Sequence, residues 1–147
     1  MTEHAYQHSG GCACGAVTFT YHSDQPMAAL CARACQCEFC LPRGNSYLSF
    51  PGDRLEVRVR DSRFLYAHVF ATATAEFMHC GLCNHLVYVR SEIDGRDYGL
   101  VVAQALSEWQ GAAQEQPVDH GNESAGDRLA RRAANWIADF VVEEYAE

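Results

Sequence analysis

Apolar and polar side chains alternate along several stretches of this chain. Residues 16–21 (Ala-Val-Thr-Phe-Thr-Tyr) alternate over most of their length, which is the period of a half-buried strand. Residues 54–60 alternate cleanly, with Leu55, Val57 and Val59 on one face. Residues 46–50 read as another strand, broken at the turn tripeptide Pro51-Gly52-Asp53. Further strands are predicted over 63–70, 74–78, 85–90 and 98–105, with Asp94-Gly95 where the last two need a hairpin turn. From 111 to 126 the chain is polar and contains Gly and Pro, as a surface connection would. Beyond it Leu129, Ala133, Trp136, Ile137, Phe140 and Val141 recur at helical spacing and predict an amphipathic helix over 127–145, packed on the β domain. The expected fold is mainly β with a C-terminal α-helix.

Composition narrows the class. The 147 residues are 48% hydrophobic and 20% charged, the balance of one globular domain. The formal charge is −8, from 11 basic and 19 acidic residues, with no strongly basic patch, so no nucleic-acid partner is expected. Residues 1–8 lack a basic region followed by an apolar run, and no apolar stretch approaches the ~18 residues of a membrane span. The expected location is the cytoplasm, whose reducing conditions favour metal binding by clustered cysteines over disulfides.

Seven of the eight cysteines fall into three clusters: Cys12-Ala13-Cys14, Cys35-Gln36-Cys37-Glu38-Phe39-Cys40 and Cys80-Gly81-Leu82-Cys83. Pairs at C-x-C and C-x-x-C spacing put two sulfurs within reach of one zinc ion, whereas disulfides at that spacing close strained rings. The first and third clusters each lie against a predicted strand, so one ion can clamp two sheet edges distant in sequence. Cys12, Cys14, Cys80 and Cys83 therefore read as a closed structural site, with iron a weaker alternative occupant. Gly15, Gly81 and Asn84 beside them suit tight turns with positive φ. Cys35, Cys37 and Cys40 supply three corners of a tetrahedron, leaving the fourth for solvent or substrate. A fourth protein ligand would instead close this site, with Cys31, His79, His85 and His68 as candidates. His4, His8, His22 and His120 lie in polar or terminal segments and are expected to be solvated.

The order C-x-C-G-x-V-x-F within residues 11–19, then C-x-C-x-x-C at 35–40, then F-x-x-C-x-x-C at 77–83, resembles the glutathione-dependent formaldehyde-activating enzyme family, which includes centromere protein V. The resemblance covers about residues 8–105, followed by the connection 106–126 and the helix 127–145 of a single zinc-binding domain. It implies the β-tent fold and two zinc ions per chain. One would be structural on Cys12, Cys14, Cys80 and Cys83, the other catalytic on Cys35, Cys37 and Cys40. The implied activity is that of a carbon–sulfur lyase joining glutathione and formaldehyde to S-(hydroxymethyl)glutathione, and the reverse. Arg33 and Arg43 flank the middle cluster and are the candidate cations for a glutathione-like thiol's carboxylates. The family usually places Gly where this chain has Asn84. The other reading is a non-catalytic β-tent module in which both zincs are architectural. A homodimer is compatible with either.

Overall fold

In the computed structural model, residues 4–26, 30, 32–35, 46–50, 52–61, 63, 65–69, 75–109, 115–118 and 125–144 are described, with backbone alone for 34, 35, 115–118, 125 and 128. The clean alternation at 54–60 is realised as strand β5 (Arg54–Val59), and that at 16–21 as β2 (Val17–Ser23). They pair antiparallel with Tyr21 opposite Leu55, Phe19 opposite Val57 and Val17 opposite Val59, so the two apolar rows share one buried face. β1 (Tyr6–Gly11) flanks β2, and β11 (Asp139–Glu144) runs parallel to β5, giving a four-stranded sheet in the order β1-β2-β5-β11.

The remaining strands are β3 (Ala32–Cys35), β4 (Ser46–Leu48), β6 (Leu65–His68), β7 (Glu76–Cys80), β8 (Leu86–Ile93), β9 (Arg96–Val102) and β10 (Glu115–Val118). They form a second sheet in the order β10-β3-β4-β9-β8-β7-β6. Asp94 and Gly95 make the predicted two-residue turn between β8 and β9, both at positive φ (51° and 78°), with Ile93 opposite Arg96.

β9 explains the layering. Its last residues Leu100-Val101-Val102, and Ala103 just beyond, are buried throughout, and alternate residues enter different cores. Val101 and Ala103 join the core shared with Phe19, Leu55 and Val57 of the first sheet, while Leu100 and Val102 join a second core closed by Trp136. A strand covered on both faces reads as a continuous apolar run rather than an alternating one.

Two expectations are corrected. The helix predicted over 127–145 is α1 (Ala125–Asn135), and the chain then becomes β11. Ile137 exchanges two backbone hydrogen bonds with Gly99 of β9 (2.9 and 3.0 Å). Those bonds lie just past the two β9 residues, Val101 and Val102, that pair with short β4. The following residues place Asp139 opposite Arg54, in an ion pair at 2.5 Å, and Glu143 opposite Arg58. Tertiary pairing thus overrides the helical period in a segment carrying the β-favouring pair Val141-Val142. Within the expected surface connection, residues 115–118 form β10, parallel to β3. Its edge position in the sheet accommodates Pro117, which has no N–H to donate.

Three histidines are also not simply solvated. His8 is buried, with Nε2–H donating to Gln25 O (2.8 Å). His22 contacts Glu56 at 2.6 Å, and His4 Nε2–H donates to Gly52 O at 2.6 Å. His120 lies outside the described residues. In the core itself Tyr21, fully buried, donates its hydroxyl to the buried carboxylate of Asp53. Burial pushes the Tyr21 hydroxyl far above the usual phenol range, and pushes Asp53 up as well, against the lowering effect of the Tyr21 hydrogen bond.

Two predictions follow from this packing. A Cβ at Gly99 would stand 2.6 Å from the Phe140 ring, a rigid group with its own core to fill. Gly99→Ala should therefore cost about 1–3 kcal/mol of overpacking strain, read as a lower midpoint in denaturant unfolding. Asp53 keeps its proton to higher pH in the folded than in the unfolded protein, so its contribution to stability falls as pH rises through that window. Asp53→Asn removes this loss. Its melting temperature relative to wild type should rise between pH 4 and pH 7; a constant difference would contradict the assignment.

Candidate metal centre

Two turns build the centre. The first follows β1: Cys12 N–H donates to Val17 O (2.9 Å), and Gly15 N–H returns to Cys12 O (3.3 Å) with Gly15 at φ 79°. The chain is thereby folded tightly enough for Val17 N–H to reach Cys12 Sγ at 3.4 Å. The second turn follows β7: Cys80 N–H donates to His85 O (3.0 Å) and Asn84 N–H to Cys80 O (2.7 Å). Asn84 occupies the left-handed region at φ 61°, the conformation expected of it where glycine is the commoner choice. Tyr66 of β6 donates its hydroxyl to Asn84 Oδ1, and its ring stacks on His79 of β7, 4.9 Å between centroids.

These turns bring Cys12, Cys14, Cys80 and Cys83 together, with all four sulfurs within 4.8 Å of one another. The Cys12–Cys14 and Cys14–Cys80 sulfur separations are both 3.6 Å. A tetrahedral zinc with bonds of about 2.3 Å requires sulfur–sulfur edges of about 3.8 Å, so the set fits such an ion with little adjustment. Cys80 is fully buried, Cys12 and Cys83 are half-buried, and Cys14 is exposed. Burial pushes the Cys80 thiol up, and N–H groups of Cys83 and Leu82 directed at its sulfur offset this only in part. Burial acts in the same sense on Cys83, but the Cys14 N–H and hydrogen bonds from His85 outweigh it and bring that thiol down.

Cys35, the backbone of which ends β3, is set apart from the four-cysteine centre by topology: β4, β9 and β8 separate β3 from β7. At about 4.8 Å per strand, the path along the sheet from β3 to β7 is on the order of 19 Å. Cys37, Cys40, Arg43 and the alternative ligand Cys31 lie outside the described residues, as does the side chain of Cys35. His68 and His79 lie on β6 and β7 and His85 in the turn after β7, at the four-cysteine end of the sheet. His79 Nδ1–H donates to Phe77 O (2.8 Å), and His85 Nδ1–H to Cys83 O (3.1 Å). Arg33 donates to Ser49 Oγ (2.5 Å) and Ser49 O (3.4 Å), while Ser49 Oγ donates to Asn135 O at the end of α1 (2.8 Å). The supporting role of Tyr66 had no signal in the sequence, because it depends on β6 pairing with β7.

Fold and site define a mainly β protein whose two sheets are fastened by a four-cysteine cluster able to hold one metal ion. The sequence matches the family described as glutathione-dependent formaldehyde-activating enzyme over residues 7–120, more than half its length, and the chain belongs to that family. A crystal structure of a Rhodobacter sphaeroides protein is similar at 28% identity and a TM-score of 0.50, over 68% of this chain and 88% of that one. No curated protein matches the chain.

If the cluster holds a structural ion, that ion contributes on the order of 10 kcal/mol of apparent binding free energy, comparable to the stability of a whole domain, and each ligand removed weakens it. Cys12→Ser and Cys83→Ser should unfold or aggregate, with loss of metal measured on the purified protein. Soluble variants with wild-type melting temperature and metal content would contradict this.

Proposed function

We propose that this protein is a carbon–sulfur lyase that joins a glutathione-type thiol to formaldehyde or a related small aldehyde, on a β-tent fold carrying two zinc ions. The observation that carries this reading is the extent of the family match: residues 7–120 contain all three cysteine clusters. Cys12, Cys14, Cys80 and Cys83 form a complete ligand set among themselves. In this reading Cys35, Cys37 and Cys40 then hold a second ion with one position open. Zinc there supplies a Lewis acid and keeps a thiol deprotonated near neutral pH.

The reaction balances without redox chemistry. A carbon–sulfur bond forms at the aldehyde carbon, the carbonyl π bond opens onto oxygen, and the thiol's proton ends on that oxygen. The reverse reaction eliminates the thiol. Arg33 and Arg43 take the role of cations for the thiol peptide's carboxylates. Ser49 accepts from Arg33 at two atoms, Oγ and O, which limits the side-chain entropy lost when a carboxylate docks. A working thiolate site also needs a reducing compartment, and we place the protein in the cytoplasm.

The condensation is reversible and proceeds slowly without catalyst, so the assay is the rate of exchange at equilibrium. Zinc-replete wild type should accelerate exchange in proportion to its concentration. Cys37→Ala should lose that acceleration while remaining folded and retaining one zinc equivalent, because the four-cysteine set shares no ligand with the middle cluster. Timed chelation of wild type should likewise remove one of two equivalents early with the fold intact. No acceleration with glutathione or other small thiols would leave the non-catalytic β-tent module as the reading.

A further inference from the structure

The four sulfurs of the metal centre are not equivalent. Cys80 is fully buried. Cys12 and Cys83 are half-buried, and Cys12 Sγ also accepts from Val17 N–H at 3.4 Å. Cys14 alone of the four is exposed, and its sulfur stands 3.6 Å from those of Cys12 and Cys80. Exposure admits the reagent, and it singles out Cys14.

We propose that Cys14 is the reactive corner of this centre, the first of the four to be oxidised by a peroxide, and that the oxidised centre closes as a Cys14–Cys80 disulfide. The inference is independent of the thiol–aldehyde reading. In the first step the Cys14 thiolate attacks the peroxide, the O–O bond breaks, a sulfenic acid forms and hydroxide leaves. In the second, the Cys80 thiolate attacks that sulfur and displaces a second hydroxide. Two thiolates lose two electrons, and the peroxide takes them up.

Sequence separation and ring size favour Cys80 over Cys12 as the partner. Both Cys12 and Cys80 sulfurs stand 3.6 Å from Cys14 Sγ and must close to about 2.05 Å. A Cys12–Cys14 bond spans a single intervening residue, and such small rings are strained and easily reduced. Cys80 lies 66 residues away on β7, so no small ring constrains it. The product has structural consequences. Losing two of four thiolates releases the ion, yet the new bond still ties the turn after β1 to the end of β7. Oxidation would replace a metal clamp between the sheets with a covalent one.

The test uses the zinc-replete full chain with limiting hydrogen peroxide, following zinc release colorimetrically and mapping cysteines by non-reducing peptide mass spectrometry. Cys14 should be the first of the four oxidised. A Cys14–Cys80 peptide pair should appear in step with zinc release, with the far-ultraviolet circular dichroism unchanged and reversal by dithiothreitol plus zinc. Limiting iodoacetamide on native wild type should likewise label Cys14 ahead of Cys12, Cys80 and Cys83. Cys14→His keeps a tetrahedral three-sulfur, one-nitrogen set and should slow peroxide-driven release from this centre by about tenfold or more. If that variant fails to fold, the wild-type labelling order decides. First modification at another of the four, a Cys12–Cys14 pair, equal release from Cys14→His, or unfolding in step with zinc release would overturn the proposal.

Discussion

Four sulfurs within 4.8 Å must be delivered by two turns that belong to different sheets, and much of the architecture answers to that constraint. Cys12 and Cys14 hang from the connection between β1 and β2, Cys80 and Cys83 from that between β7 and β8. Neither turn can reach the other unless the sheets pack face to face, so a bound ion would report on and reinforce the main core. The apparent free energy of a structural zinc, about 10–16 kcal/mol, is of the same order as the stability of an entire domain. A protein with such a clamp tolerates local compromises elsewhere. The buried Asp53 carboxylate beneath Tyr21 is one of them.

Strand content was legible where one face of a strand is wet. β2 and β5 announce themselves by period two because each fully buries one row and leaves the other half-buried or exposed. β9 is less direct, since burial on both faces erases the alternation, and the neighbours that bury it are distant in sequence. β1, β3 and β10 carry no period-two signal and are not predicted from the sequence. β1 ends on Gly10-Gly11, where a side chain has no room: a Cβ at Gly10 would lie 2.5 Å from Ala105 O and from Phe19 Cζ. That requirement comes from the close approach of the residues after β9, not from local propensity.

The site shows the same division. C-x-C and C-x-x-C spacing identified the four ligands, and Asn84 was readable as a left-handed residue because its chemistry permits φ 61° at small cost. The ranking of the sulfurs was not readable. Burial of Cys80 and exposure of Cys14 depend on which side of each turn faces the core. The separation of Cys35 from Cys80 along the second sheet depends on strand order, which local patterns do not encode.

The segment after residue 120 lies beyond the family match, yet it is not an appendage. Ile137 is fully buried, Trp136 nearly so, and Phe140 packs into the space that Gly99 leaves open. Burying an Ile or Leu side chain contributes about 1.5–3 kcal/mol, so these few residues represent a large part of a marginal stability. The same segment reaches the middle cluster's strand through a short polar relay: Asn135 O accepts from Ser49 Oγ, and Ser49 accepts from Arg33 on β3, the strand that ends at Cys35. The helix end therefore fixes Ser49, Ser49 fixes Arg33, and β11 fixes the helix end by joining β5. A core shared with the first sheet is in this way coupled to the strand that leads into the second cysteine group, so changes in the C-terminal segment can reach that strand without any direct contact.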